Sequence, residues 1–232
     1  MQTRHMLLVG ACLLVAACAT KPLVIDTSEG AELSFDGLYP VKNVRVDKAW
    51  ARRDFDLTGY TKIIVQGAGI HYRPVKASAG RSSAARRGET EFPLTEEQKA
   101  SIQEVFSTEF REELAKLENL EIVDEPGPDV LIVRGALLDV VSRVPPETAG
   151  RVEIYLDVIG YATLVIEFID SQSGSVLARA VDLDAAQQSG VVFESNPVTN
   201  AAEVRRLAKS WARLLRQRLD EFSTNLGIGS AG

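Results

Sequence analysis

The run Tyr161-Ala162-Thr163-Leu164-Val165-Ile166-Glu167-Phe168-Ile169-Asp170, followed by Ser171-Gln172-Ser173-Gly174 and then Val176-Leu177-Ala178-Arg179-Ala180-Val181-Asp182-Leu183, decides the fold class. Ala162, Leu164, Ile166 and Phe168 fall on one face of an extended chain and Tyr161, Thr163 and Glu167 on the other, the period-two pattern of a half-buried strand. Asp170 to Gly174 is turn chemistry, so the two runs pair most simply as an antiparallel hairpin. Upstream, Val130-Leu131-Ile132-Val133 is apolar at both parities and opens a strand over 130–144 that suits a sheet centre covered on both faces. Pro145-Pro146 ends it, and the turn Pro126-Gly127-Pro128-Asp129 leads into it. Glu121 to Val123 reads as a short strand, while residues 151–160 fit either an extension of the hairpin strand or a separate short element.

Further out, Lys62 to Tyr72 is a β-branched, apolar strand whose middle is weakened or bulged by Gly67 and Gly69. Thr95-Glu96-Glu97-Gln98 is a capping box, and Ile102, Val105, Phe106, Phe110, Leu114 and Leu117 follow at helical spacing, which predicts a helix from Glu96 to about Leu117. After a loop from Asp184 to Thr199, Asn200-Ala201-Ala202-Glu203 reads as a second capping box. It opens a helix with Leu207, Trp211, Leu215 and Leu219 on one side. The first helix is net acidic and the second net basic, although exposed ion pairs are worth only about 0–1 kcal/mol each. Nearer the start, Val44-Arg45-Val46 reads as a short strand. The order of elements implies one α+β domain, a mixed and largely antiparallel sheet covered by two long amphipathic helices. It resembles the small α/β domains of bacterial envelope lipoproteins, and topology alone carries no function.

At the N-terminus, Arg4 precedes an apolar run from Met6 to Ala17, the pattern of a secretory signal and too short to span a bilayer, which takes about 20 residues. Val15-Ala16-Ala17-Cys18 closes the run and resembles the lipobox at which bacterial signal peptidase II cuts before a lipid-modified cysteine. The predicted organisation is a signal peptide over 1–17, a lipidated Cys18 with a tether over 18–34, a domain over 35–222, and a disordered tail over 223–232. Multiple acyl chains on Cys18 would anchor the chain stably to a membrane. Ala19 in place of an Asp after the cysteine favours the outer membrane by resemblance to the sorting pattern of such lipoproteins, with the domain facing the periplasm.

The chain has 232 residues, 45% of them hydrophobic, with 26 Lys and Arg against 32 Asp and Glu and only two His and two Cys. That composition excludes disordered and low-complexity classes. The net charge of −6 argues against a nucleic-acid partner. His5 and Cys12 fall within the signal, leaving little material for a metal centre, a disulfide or thiol chemistry, and no cofactor or metal ligand is assigned.

Taken together, the lipobox at Cys18, Tyr60-Thr61-Lys62-Ile63-Ile64-Val65, Val123-Asp124-Glu125-Pro126-Gly127-Pro128-Asp129-Val130-Leu131 and Glu167-Phe168-Ile169-Asp170-Ser171-Gln172-Ser173-Gly174 resemble the bacterial lipoprotein family catalogued as domain of unknown function 3313. The resemblance covers roughly residues 30–222. It implies a fold and a cellular place and carries over no catalytic residue.

His71 is the one histidine outside the signal, so a hydrolase would have to use it or a carboxylate. Gly67-Ala68-Gly69 lacks the third glycine of a dinucleotide loop, and Gly80-Arg81-Ser82-Ser83-Ala84 lacks the second glycine of a nucleophile elbow. Asp124, Glu125 and Asp129 do not have the spacing of a calcium loop, and neither they nor the pair Asp182 and Asp184 carry a role from sequence alone. The one surface contrast is the basic stretch 73–88, with Arg73, Lys76, Arg81, Arg86 and Arg87 and no acid, a candidate contact for anionic envelope surfaces. The leading expectation is therefore a non-enzymatic envelope lipoprotein that binds another envelope component. The alternative is a periplasmic hydrolase using His71 or a carboxylate. A third possibility, carriage of a small apolar ligand, requires an internal cavity between helices and sheet.

Overall fold

The computed structural model describes residues 21–75, 91–145, 154–187, 192–223 and 228–230. Its centre is the predicted hairpin, β8 (Val158–Asp170) with β9 (Val176–Gln187), antiparallel in register Phe168 to Ala178 and Ile166 to Ala180. Asp170 shapes the turn: its carboxylate accepts from the Ser173 amide at 2.7 Å, and the Gly174 amide donates to the Asp170 carbonyl at 2.9 Å. Gly174 has a φ of 68°, a conformation that costs glycine nothing. On the other side of β8 lies β6 (Val130–Ser142), also antiparallel, and beyond it β4 (Lys62–Tyr72), parallel to β6 with breaks in register around Gly67 to Tyr72. The expected weakening at Gly67 and Gly69 therefore coincides with a real irregularity.

With β1 (Leu23–Ile25), β2 (Tyr39–Lys42), β3 (Lys48–Ala51), β5 (Glu121–Ile122) and β11 (Ile228–Ser230), the sheet has nine strands in the order β11-β1-β2-β3-β9-β8-β6-β4-β5. A separate antiparallel pair joins β7 (Tyr155–Leu156) to β10 (Phe193–Glu194), so residues 151–160 contribute both a short element and the start of β8. The predicted α+β architecture is present: a mixed, mostly antiparallel sheet with two helices packed on one face.

The first helix, α1 (Glu96–Leu114), starts where the capping box places it. The Gln98 amide donates to the Thr95 hydroxyl at 3.2 Å and the Thr95 amide to the Gln98 side chain at 2.8 Å. The second, α2 (Pro197–Ser223), starts earlier than expected. Asn196 caps it instead of Asn200, accepting from the Val198 and Thr199 amides at 3.0 Å each, while Asn200 lies inside the helix. Pro197 explains the shift, since at the first helical position its missing N–H costs nothing and its φ is preset.

The two ends of the domain also differ from expectation. Residues 23–25, expected within the tether over 18–34, form β1 with Leu23 and Ile25 buried. Residues 228–230, expected in a disordered tail, pair with β1 in parallel. The Val44 to Val46 segment is the connection between β2 and β3 rather than a strand. Period-two reasoning needs four or more residues, and β1 and β11 have three each.

Between helices and sheet, Ile63, Leu131, Val133, Leu114 and Leu219 are essentially inaccessible to solvent. Trp211 of α2 packs its ring 6.0 Å from Phe106 of α1, and Phe222 packs against Phe55 and Phe168. The opposite charges of the helices meet at their shared seam. Glu109 and Glu113 are buried there, with Arg205 at 3.3 Å from the first and Arg216 at 3.4 Å from the second.

On the sheet face away from the helices, a charge ladder crosses neighbouring strands. Glu167 accepts from Arg134 at 2.6 Å and from Arg179 at 2.8 Å, and Arg179 reaches on to Asp36 through two bonds of 2.7 and 3.0 Å. Burial pushes the Glu167 carboxyl up, but the Arg134 and Arg179 guanidiniums outweigh it and hold the group below the ordinary carboxylate range.

Two predictions follow from this packing. A Cβ added at Gly160 would sit 2.5 Å from the Val141 carbonyl oxygen, so Gly160→Ala must push β8 from β6 and should cost about 1–3 kcal/mol in urea unfolding. Glu167→Gln should cost about 1.5–3 kcal/mol, the value of hydrogen bonds to charged groups. Because the folded-state pKa of Glu167 is depressed, its contribution is complete above the unfolded value of 4.5 and is lost as the pH falls below that through the folded value. The wild type should therefore lose more stability than Glu167→Gln between about pH 6 and about pH 3, measured by paired urea melts.

Candidate functional site

The sequence-selected residues do not gather into a reactive centre. His71 is exposed on β4 and has no hydrogen-bond or ion-pair partner among the described residues. Asp124 and Glu125 are exposed at the turn before β6, while Asp129 turns inward and accepts from Thr61 and, at 2.9 Å, from the Lys62 ammonium. Asp182 and Asp184 also part company. Asp182 accepts the Trp211 indole N–H at 2.7 Å, and burial pushes its carboxyl up against that bond, whereas Asp184 is exposed and holds the Ala185 amide. Among the described residues no group of three or more His, Cys, Asp or Glu could hold a metal ion.

Of the basic stretch, Lys76, Arg81, Arg86 and Arg87 lie outside the described residues, as does Cys18. Arg73 is described, and carboxylates surround it. Its guanidinium bonds Asp139 at 2.9 Å through Nε and again through Nη2, and Glu91 at 2.5 Å through Nη1. Asp139 sits at a φ of 58° where the register of β6 and β8 slips, which turns its carboxylate toward Arg73. The Arg73 guanidinium in turn holds the Asp139 carboxyl below its usual range. Sequence could not pair these groups, because Asp139 and Glu91 belong to segments far from Arg73 along the chain.

The three internal motifs that carried the family resemblance meet at one end of the sheet. The Tyr60 hydroxyl donates to Asp170 at 2.9 Å, Thr61 and Lys62 hold Asp129, and the Ser171 hydroxyl donates to the Gly127 carbonyl at 2.9 Å while accepting from the Gly127 amide at 3.2 Å. Every member is engaged with another, so the cluster is structural. It fixes the start of β4, the start of β6 and the β8–β9 turn relative to one another.

At the opposite end the helices part. α1 and α2 run in the same direction, and between their first turns, the end of β6 and the start of β8 lies a cavity of about 600 Å³. Ile102, Val105, Val140, Ile159, Val204 and Leu207 contribute to its wall. Its lining is mixed: Glu97 and Ser101 are exposed there, while other polar side chains are engaged within the protein. Thr95 and Gln98 form the capping box, Ser142 holds the Val144 amide, and Ser195 bonds Asn200 at 3.1 Å. A smaller apolar cavity of about 120 Å³ lies between α2 and strands β3, β8 and β9. The larger one is within the size range of ligand-binding pockets and opens to solvent past the exposed Glu97 and Ser101.

No curated protein matches the chain. Among solved structures, the chain is similar to a PelC dodecamer from Paraburkholderia phytofirmans, at 14% identity over 69% of this chain and 90% of that one, with a TM-score of 0.33. It is also similar to protein XCC0632 from Xanthomonas campestris, at 12% identity over 78% and 94%, TM-score 0.37. A third likeness is to a putative neuraminyllactose-binding hemagglutinin homologue from Helicobacter pylori, at 9% identity over 72% and 88%, TM-score 0.29. The family model described as protein of unknown function DUF3313 matches residues 29–215, most of the domain, and the chain therefore belongs to that family.

Proposed function

We propose that this protein is a lipid-anchored component of the bacterial cell envelope, held by acyl chains on Cys18 at the outer membrane with its domain facing the periplasm, and that the domain works by binding rather than by catalysis. The observation that carries the reading is Val15-Ala16-Ala17-Cys18 closing the apolar run shortly before Leu23, where β1 begins. So short a connection would keep the sheet close to the bilayer. Among the described residues no helix is long and apolar enough to cross a membrane, and an acyl anchor supplies attachment without one.

The binding half of the reading is supported by how the ionisable groups are used. Asp129, Asp139, Glu113, Glu167 and Arg179 are committed to ion pairs that join strands or helices, and His71 stands apart from them. General acid–base catalysis needs a base within hydrogen-bond reach of a substrate and oriented by a neighbour, and such an arrangement is not assembled around His71. The basic residues Lys76, Arg81, Arg86 and Arg87 remain the side chains proposed for anionic envelope surfaces, with Arg73 already neutralised by Asp139 and Glu91.

Expressed in a Gram-negative host, the wild-type chain should incorporate a palmitate analogue and fractionate with the outer membrane, and Cys18→Ser should do neither and should accumulate as unprocessed precursor. A Cys18→Ser protein that is still labelled and still processed would overturn the anchor.

A further inference from the structure

We infer that the smaller cavity, between α2 and strands β3, β8 and β9, binds the ring of a monocyclic aryl carboxylate, with the carboxylate held at its mouth by Arg45. The inference rests on the reading of the domain as a binding module and names a ligand class for it. It does not depend on the anchor at Cys18.

Four alanines make the floor of the cavity. β3 pairs with β9 in antiparallel register Ala49 to Ala180 and Ala51 to Ala178, and on β9 these stand opposite Ile166 and Phe168, which belong to the core beneath the helices. Residues directly opposite one another share a face, so all four methyl groups point toward α2. Adjacent strands lie about 4.8 Å apart and two residues along a strand span about 6.8 Å, so the four methyls cover about the footprint of one aromatic ring. The space left above them is about 120 Å³. It is close to the roughly 150 Å³ of an engineered apolar cavity that admits benzene, and below the roughly 300 Å³ at which pockets for larger molecules begin.

The walls select a ring. Opposite the floor α2 contributes Trp211, Leu215 and Phe222, and β8 contributes Ile166 and Phe168. Phe222 already makes edge-on contacts with Phe55 and Phe168, at 5.7 and 6.4 Å between ring centroids, and a ring entering beside it meets the geometry that aromatic groups prefer. The lining includes four charged residues, and three of them are committed within the protein. Asp182 accepts the Trp211 indole N–H at 2.7 Å and the Asp47 amide at 3.1 Å, Arg179 bonds Glu167 and Asp36, and Arg218 bonds Glu221. The hydroxyls of a sugar or the backbone of a peptide would go unpaired against such walls.

The fourth charged residue sets the sign of the ligand. Arg45 is exposed at the mouth and has no hydrogen-bond or ion-pair partner among the described residues. It stands between Val44 and Val46, which also line the cavity. The connection carrying all three is pinned at both ends. Asn43 donates to the Pro22 carbonyl at 2.8 Å, while Asp47 accepts the Leu183 amide at 2.9 Å and gives its own amide to Asp182. The backbone of Arg45 is thereby held beside the opening, and its guanidinium is left to bond a carboxylate, the anion whose two oxygens match its fork.

The test uses the full-length protein in lipid nanodiscs, with empty nanodiscs as the blank, titrated with 4-fluorobenzoate and followed by fluorine NMR. Binding should saturate and should be about tenfold tighter than that of 4-fluorobenzylamine, which carries a cation on the same ring. Ala180→Phe and Ala49→Leu, which fill the space from adjacent strands, should each weaken 4-fluorobenzoate by about tenfold or more. Arg45→Gln should weaken 4-fluorobenzoate by about tenfold and leave the neutral 4-fluorotoluene unchanged. Circular dichroism melts report the folding of each variant, and the comparison of the three probes on the wild type stands whether or not the variants fold. Absence of saturable 4-fluorobenzoate binding, equal binding of the carboxylate and the amine, or undiminished binding in both filled variants when folded would overturn the inference. Unchanged 4-fluorobenzoate binding in a folded Arg45→Gln protein, or an equal loss of 4-fluorotoluene, would overturn the assignment of Arg45. A chain labelled at Cys18 that binds none of the probes would sink this inference alone, and a chain that binds 4-fluorobenzoate but is not labelled would sink the anchor alone.

Discussion

The sheet depends on the hydrogen bonds that tie Asp129 and Asp170 to the segment Tyr60-Thr61-Lys62. β4 and β6 are parallel neighbours joined through a long crossover, so no tight turn sets their register. Asp129 does so instead, because its carboxylate holds Thr61 and Lys62 and its backbone carbonyl accepts from the amides of both, at 3.0 and 3.1 Å. Asp170 does the same for β8 through the Tyr60 hydroxyl, and burial together with that carboxylate raises the Tyr60 phenol to about 12, so the donor keeps its proton. A one-residue slip in any of these strands would turn its apolar face outward. The cluster therefore protects the burial of Ile63, Leu131 and Phe168, which stand beside the bonded residues in the three internal motifs of the family resemblance.

Rigidity at that end permits openness at the other. The helices are clamped over the second half of α1, by Phe106 against Trp211 and by the buried Glu113 against Arg216. Lys116 and then Arg216 hold the Glu113 carboxyl below its ordinary range, so it remains charged within the seam. Toward the first turns the facing residues include Ser101, Asn200 and Ala201, too short to close the gap between the helices. A cavity there costs contact energy that the clamped end supplies, and it lies away from the register-setting hydrogen bonds.

The sequence made the local features legible and left the relations between distant segments hidden. The β8–β9 hairpin, the Thr95 cap and the apolar face of α2 were readable because each depends on residues within a few positions of one another. Asn196 as the true cap of α2 was present in the letters too, since Asn-Pro competes with Asn200 and proline at the first helical position wins. β1 and β11 were not readable, because a three-residue strand has no period and is made by its neighbours. Nor were the pairing of Arg73 with Asp139 or the cavity, which arise from a register slip and from the divergence of two helices. Among the residues chosen as candidates, the exposed charges were the least informative. A run of basic residues reads the same whether or not a carboxylate from another strand meets it.

Scarcity of reactive side chains takes on a different meaning once their partners are known. Composition gave few histidines and cysteines but many carboxylates, which left acid–base chemistry open. The structure assigns the internal carboxylates to structural work: Asp129 and Asp170 to register, Glu167 and Asp36 to the ladder across the outer face, Glu109 and Glu113 to the helix seam. Removing any of these to serve a substrate would leave a cation or donor unpaired, at a cost of about 1–3 kcal/mol.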